Sequence, residues 1–286
     1  MEQLTLKEVY RRGKELLESS GVPDADFDSL CLVEHIFGAD RTALIIHGDR
    51  LADSDVCRRF FSAIKERSTG RPLQYIIGKW NFMGFDFFVG EGVLIPRDDT
   101  EVAAQKAIEL LAEYDHPKVI DLCSGSGAIA VSVAKFVPSA DVTALEYSPD
   151  AFAYLEKNIK LNSAANVTAV LGDVTADFDK FADESFDMIV SNPPYIISKQ
   201  IDTLQRELAF EPRMALDGGD DGIFFYREIT NKWRLKLKKG GMLVYETGED
   251  EHEPVAADMK AAGFVNVGFE LDLQGYKRVT FGERGV

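Results

Sequence analysis

Cysteine is scarce in this 286-residue sequence, with only Cys31, Cys57 and Cys123. An odd number without metal-ligand spacing argues against a disulfide framework or a zinc site and for a reducing compartment. The four histidines, His35, His47, His116 and His252, form no spaced cluster, so no metal is expected. Cations are also in short supply, 32 Lys and Arg against 48 Asp and Glu, for a net charge of −16. Such a chain opposes tight, sequence-independent binding to nucleic acid, which needs clustered Lys and Arg. No apolar run approaches membrane-spanning length, and Met1-Glu2-Gln3-Leu4-Thr5 lacks the basic and apolar regions of a signal peptide. A cytoplasmic protein without a membrane partner is expected. What the sequence does have is 45% hydrophobic residues, enough to bury a core across two domains.

The apolar pattern changes along the chain. Over 6–69 it has helical spacing (Leu6, Val9, Tyr10, Leu16, Leu17, then Phe27, Leu30, Val33, Ile36), broken at Gly21-Val22-Pro23 and Gly38-Ala39-Asp40. This predicts a bundle of four or five helices. Over 74–94 aromatic and β-branched residues crowd around Met83-Gly84, the pattern of a β-hairpin joining two domains. After Pro96 helix and strand alternate in βαβ fashion. Strands are expected over 118–122, 141–145, 167–171, 186–190, 242–245, 265–271 and 277–281. Helices are expected over 101–114, 128–137, 149–161, 223–237 and 255–262, with an unpatterned loop over 196–221. The expected architecture is α/β: a helical domain over 1–72, a β-hairpin linker over 73–95 and a Rossmann-like, seven-stranded domain over 96–286. Lys232 to Lys239 with its alternating leucines reads as the solvated face of a helix, and Glu249-Asp250-Glu251 as a solvated loop.

Val119-Ile120-Asp121-Leu122 leads into Cys123-Ser124-Gly125-Ser126-Gly127-Ala128, a strand, a glycine-containing turn and a helix. Such glycines let backbone approach a ligand and present N–H groups at a helix start. Alone the turn fits a dinucleotide, or no ligand at all. Glu146 ends the next strand, where its carboxylate can accept from both ribose hydroxyls of a nucleoside. Asp173 ends the third, placed to meet an adenine amino group or to cap a helix. The full dinucleotide glycine pattern is missing, since Ala130 stands at its last position; a cofactor without pyrophosphate, such as S-adenosylmethionine, suits the shorter pattern better.

A further strand, Phe186 to Ser191, runs into Asn192-Pro193-Pro194-Tyr195. A planar amide or aromatic amine is a poor nucleophile because its lone pair is delocalised. Attack on a methyl sulfonium needs that lone pair aimed along the C–S axis. The Asn192 side-chain carbonyl and the Pro193 backbone carbonyl can each accept from the target NH2, while the prolines fix their geometry. This is catalysis by orientation. Tyr195 can pack on the planar group and face the sulfonium. The motif by itself leaves adenine, guanine and glutamine open as acceptors.

The chain resembles the bacterial release-factor glutamine methyltransferases. The likeness rests on Asn192 to Tyr195, on Gln74-Tyr75-Ile76-Ile77-Gly78 and on Leu94-Ile95-Pro96-Arg97-Asp98-Asp99-Thr100-Glu101. It extends through Glu211-Pro212, Asp220-Asp221-Gly222, Glu246-Thr247-Gly248 and Asp272-Leu273-Gln274-Gly275-Tyr276-Lys277-Arg278. The resemblance implies methyl transfer from S-adenosylmethionine to N5 of the glutamine in the Gly-Gly-Gln loop of class 1 peptide chain release factors, received by the N-terminal helical domain. It places Cys123, Ser124, Gly125, Ser126, Gly127, Glu146, Asp173, Val174 and Asn192 at the cofactor, and Asn192, Pro193, Pro194 and Tyr195 at the glutamine. Three positions depart from the family pattern: Cys123 replaces a frequent Gly, Val174 an aromatic, and Glu251 a frequent Gln. Two other readings compete. A nucleic-acid amino-methyltransferase shares the motif and must extrude its base, but the acidic charge and lack of a separate recognition region oppose it. A silent cofactor-binding module is opposed by the intact motif.

Overall fold

A computed structural model describes residues 3–285. Met1 and Glu2, which open the stretch expected to lack a signal peptide, and Val286 lie outside the described residues. The chain forms two compact units, Met1–Gly78 with Gln205–Phe210, and Lys79–Leu204 with Glu211–Val286.

The first unit contains α1 (Leu6–Ser19), α2 (Ala25–Phe37), α3 (Arg41–His47), α4 (Ser54–Ser68) and the short α5 (Leu73–Ile77). Helix α1 starts at a capping box in which Thr5 and Glu8 satisfy each other's backbone N–H groups. Val9, Leu17, Leu32, Val33, Phe60 and Ile64 form its core. Within it the Arg67 guanidinium donates to Asp28 at 2.6 Å and to Glu207 at 2.9 Å, which ties the Gln205–Phe210 segment to the helices. The hairpin expected over 74–94 is shorter than its apolar pattern. Residues 73–77 take a helical turn after Pro72, closed by Gly78 in the left-handed region.

The hairpin itself, β1 (Lys79–Phe82) and β2 (Phe85–Phe88), turns through Met83 and Gly84, both at positive φ. It belongs to the second unit, where Phe82 and Phe87 join the core. There follow α6 (Asp98–Leu111), β3 (Lys118–Leu122), α7 (Ala128–Phe136), β4 (Asp141–Glu146), α8 (Pro149–Leu161), β5 (Val167–Leu171) and β6 (Phe186–Ser191). The chain ends with α9 (Phe224–Trp233), β7 (Leu237–Glu246), α10 (His252–Ala261), β8 (Phe264–Leu271) and β9 (Lys277–Arg284).

The seven strands of the large sheet run in the order β5-β4-β3-β6-β7-β9-β8. All neighbours are parallel except β9, which is antiparallel to both β7 and β8. This is the α/β, seven-stranded architecture expected of the sequence. Strand order reverses between β3 and β6, the place where open α/β sheets leave a crevice beyond the strand ends.

Two local expectations are corrected. The lysine-rich stretch 232–239 is not one helical face: α9 stops at Trp233 and β7 begins at a fully buried Leu237. Lys236 and Lys238 are instead paired with Asp183 at 2.6 Å and Asp187 at 2.8 Å. Within 196–221 the chain makes three 3-10 turns, at Ile201–Thr203, Arg206–Phe210 and Arg213–Ala215. No helix among the described residues is long and apolar enough to cross a membrane.

Candidate functional site

The register Leu122↔Ser191 sets the turn after β3 beside the segment after β6. Around this junction lies a cavity of about 250 Å³, lined by Cys123, Gly125, Glu146, Asp173, Val174, Asn192 and Pro194 among others. That volume is several times what one water occupies and accommodates an organic ligand.

Seven of the residues singled out from sequence thus share one cavity, whereas Ser124, Ser126, Gly127, Pro193 and Tyr195 do not line it. Ser124 donates its hydroxyl to Asp121 at 2.6 Å and its N–H to Leu145. The Ser126 carbonyl accepts from the buried Asn158 amide at 2.9 Å. Gly127 lies at φ +82, and a Cβ there would meet Leu155 at 2.5 Å. Cys123 has φ +60, in the left-handed region where a glycine is free of strain. Its departure from glycine therefore costs backbone energy, while its side chain packs on the core beneath.

Glu146 is buried at the end of β4. Its Oε2 accepts from the Gly125 N–H at 2.7 Å and its Oε1 from the Ser148 N–H at 2.7 Å. Burial raises its pKa, and these backbone donors pull the other way. Each oxygen retains a lone pair, so the carboxylate fits a pair of ligand hydroxyls. Asp173 Oδ1 accepts from both the N–H and hydroxyl of Thr175 at 2.7 Å, a local turn that caps no helix, since the 3-10 turn Asp177–Lys180 starts after Ala176, and the residue borders the cavity. The cavity is closed by groups whose place in the sequence gives no hint of a site: Tyr147, Met214, Phe224 and Phe225. Phe224 and Phe225 form an edge-to-face pair at 5.1 Å and bring aromatic surface to the cavity that Val174 lines. They lie in a helix start, where hydrophobic spacing reads as packing alone.

Asn192 donates from Nδ2 to Thr100 Oγ1 at 3.3 Å, which leaves its Oδ1 as the acceptor. Pro193 is buried beside it, and Tyr195 is half-buried on the core. Burial, then the nearby Glu246 charge, pushes the Tyr195 phenol well above its ordinary range, so it stays neutral. Two buried acids lie close by. Asp121 is pushed up to about 7 by burial, against hydrogen bonds from Ser124 and Ala130. Glu246 is also pushed up to about 7 by burial, against Thr100 and the Arg278 charge. Arg97, a candidate in the motif at 94–101, forms an ion pair with the buried Glu211, which also accepts from the Ile95 N–H at 3.0 Å. Glu251 is half-buried rather than part of a freely solvated loop, and burial raises its pKa.

Comparison with known proteins identifies both parts of the chain. Residues 8–78 match the PrmC N-terminal domain and residues 92–225 the methyltransferase small domain. A release factor glutamine methyltransferase of Clostridium acetobutylicum is 37% identical over 260 residues, covering 90% of this chain and 91% of the relative. Another, of Geobacter sulfurreducens, is 36% identical over 282 residues, 98% of this chain and 97% of the relative. The crystal structure of a methyltransferase from Pyrococcus furiosus shares the fold at 18% identity, with a TM-score of 0.53 over 71% of this chain and 91% of that one. With such identity sustained over nearly the whole length of its relatives, the chain belongs to the release factor glutamine methyltransferase family.

Proposed function

We infer that this protein transfers a methyl group from S-adenosylmethionine to a glutamine side-chain amide of class 1 peptide chain release factors, presented in their Gly-Gly-Gln loop. The observation that carries the reading is the Asn192 amide: its NH2 is committed to Thr100, and its Oδ1 is left to accept beside the cavity that holds Glu146. S-adenosylmethionine, when bound, supplies an electrophilic methyl carbon on a sulfonium.

In this reading Glu146 takes the ribose hydroxyls, and the turn Cys123 to Gly127 with Asp173 and Val174 encloses the rest of the cofactor. Asn192 Oδ1 and the Pro193 carbonyl accept from the two hydrogens of the target NH2. Held so, the nitrogen lone pair points at the methyl carbon, and orientation replaces a strong base. The bound cofactor would give up its methyl group and leave as a neutral thioether, and the proton lost by the amide nitrogen held between Asn192 Oδ1 and the Pro193 carbonyl would pass to solvent. Tyr195 remains a neutral phenol packed on the acceptor's planar face. The helical domain over 1–72 would receive the release factor, and the reaction belongs in the cytoplasm.

Incubation with methyl-labelled cofactor and either release factor or nucleic acid tests the assignment. Label is expected in the release factor, localised by mass spectrometry to the Gly-Gly-Gln glutamine, and absent with Asn192→Ala. Label in nucleic acid alone would overturn it.

A further inference from the structure

Asn192 is held from behind by two residues to which the methyl-transfer reading gives no role. Its Nδ2 donates to Thr100 Oγ1, in the first turn of α6. The Glu246 carboxylate lies near the Thr100 hydroxyl, which favours its charged form against burial. Glu246 closes β7 one residue past the Ser191↔Tyr245 pair, which sets it beside Asn192 at the sheet edge. Both Thr100 and Glu246 are buried, at 6% and 2% exposure, and Glu246 Oε2 has no hydrogen-bond partner among the described residues.

A hydroxyl carries one proton. When Glu246 is ionised and accepts that proton in a hydrogen bond, Thr100 can meet the Asn192 amide only as an acceptor. The amide must then turn Nδ2 to Thr100 and Oδ1 away from it. Were the hydroxyl free, it could donate to Oδ1 instead, and the amide would rotate to present its own NH2 to the acceptor's NH2. Two donors would then face each other.

We propose that Thr100 and Glu246 are positioning residues for methyl transfer, acting in series to lock the Asn192 amide with its oxygen toward the reacting nitrogen. This rests on the reading of Asn192 as the acceptor for the target amide. The full-length protein is assayed as wild type, Thr100→Val, Thr100→Ser and Glu246→Gln, with kcat, the KM for release factor and the Kd for S-adenosylmethionine measured for each.

Thr100→Val should lower kcat by about 10- to 100-fold, the scale of a misaligned reacting group, with cofactor Kd within about twofold of wild type because no cofactor-facing group is changed. Thr100→Ser should restore kcat to within about threefold, since the hydroxyl returns. Glu246→Gln, which can donate to Thr100 as well as accept, should fall between the two. Full kcat in Thr100→Val would overturn the proposal. So would a Thr100→Ser protein as impaired as Thr100→Val, or a loss confined to cofactor Kd. If Thr100→Val fails to fold, unchanged kcat in Glu246→Gln overturns the proposal in its place. A wild-type chain that methylates only nucleic acid would overturn the substrate reading alone, and the variants would then be compared on that substrate.

Discussion

The N–H of Gly125 donates to Glu146 Oε2 across 2.7 Å, so the turn after β3 and the end of β4 are fixed to each other before any ligand enters. The same carboxylate is the group assigned to the ribose. Glu146→Gln removes its charge and half of its accepting capacity, while a hydrogen bond to a charged group contributes roughly 1.5–3 kcal/mol. Isothermal titration should show cofactor affinity weakened by about 10- to 100-fold. An unchanged Kd would remove Glu146 from the cofactor site.

Asp121 and Glu246 provide a pH signature. Both are raised by burial to about 7, whereas an unfolded chain ionises such groups near 4. Between these values the folded protein keeps protons that the unfolded chain has released. Their contribution to stability is therefore complete below about pH 4 and is lost as pH rises through about 7. Melting temperature followed from pH 5 to 8 should fall less steeply in Asp121→Asn than in wild type. The comparison of slopes isolates this group from carboxylates shifted the other way.

Gly218 is adjacent to the Asn192–Tyr195 segment. Its N–H donates to the Ile196 carbonyl, and a Cβ added there would meet the Tyr195 Cα at 2.6 Å and carbonyl carbon at 2.7 Å. Those are backbone atoms that cannot swing aside. Gly218→Ala should displace Tyr195 and reduce kcat about 100-fold, the cost of a misplacement near 1 Å. Circular dichroism should remain that of the wild-type fold. Wild-type kcat would show that the segment yields freely.

Arg97 should matter for stability before it matters for chemistry. Its partner Glu211 has a side chain only 1% exposed, so Arg97→Ala leaves a buried carboxylate without its cation. Breaking a fully buried pair costs roughly 3–5 kcal/mol. The Arg97 side chain is 39% exposed and partly screened, which lowers the expectation to about 2 kcal/mol. A fall of about 4–8 °C in Tm follows. Glu211→Gln in the same background should recover part of it by removing the stranded charge.

How much can be read from the sequence follows from which interactions are local. Asn192-Pro193-Pro194-Tyr195 announces itself because adjacent residues carry its chemistry, and the glycine turn because only glycine suits its backbone. Strands β3, β4 and β6 read clearly since both faces are largely buried and apolar residues dominate them, whereas β5 is half-exposed at the sheet edge. Thr100 and Glu246 give no such signal, as they lie 92 and 54 positions from Asn192 and meet it only through sheet register and the start of α6. Leu237 reads as helical because lysines alternating with leucines suit either element, and its pairing with Phe186 decides the matter. Phe224 and Phe225 look like core residues by spacing, and only tertiary folding turns them to the cavity.

Asn158, whose amide holds the Ser126 carbonyl, also donates to the Phe88 carbonyl and accepts from the Phe88 N–H. One side chain, fully buried, thereby spans the aromatic hairpin and the turn after β3. Displacement of either is transmitted to the other through three hydrogen bonds, with no intervening flexible segment. The backbone amide of Phe88 accordingly serves as a built-in gauge of the turn: its rate of hydrogen exchange should slow as the cofactor steadies Ser126, although the hairpin itself does not line the cavity.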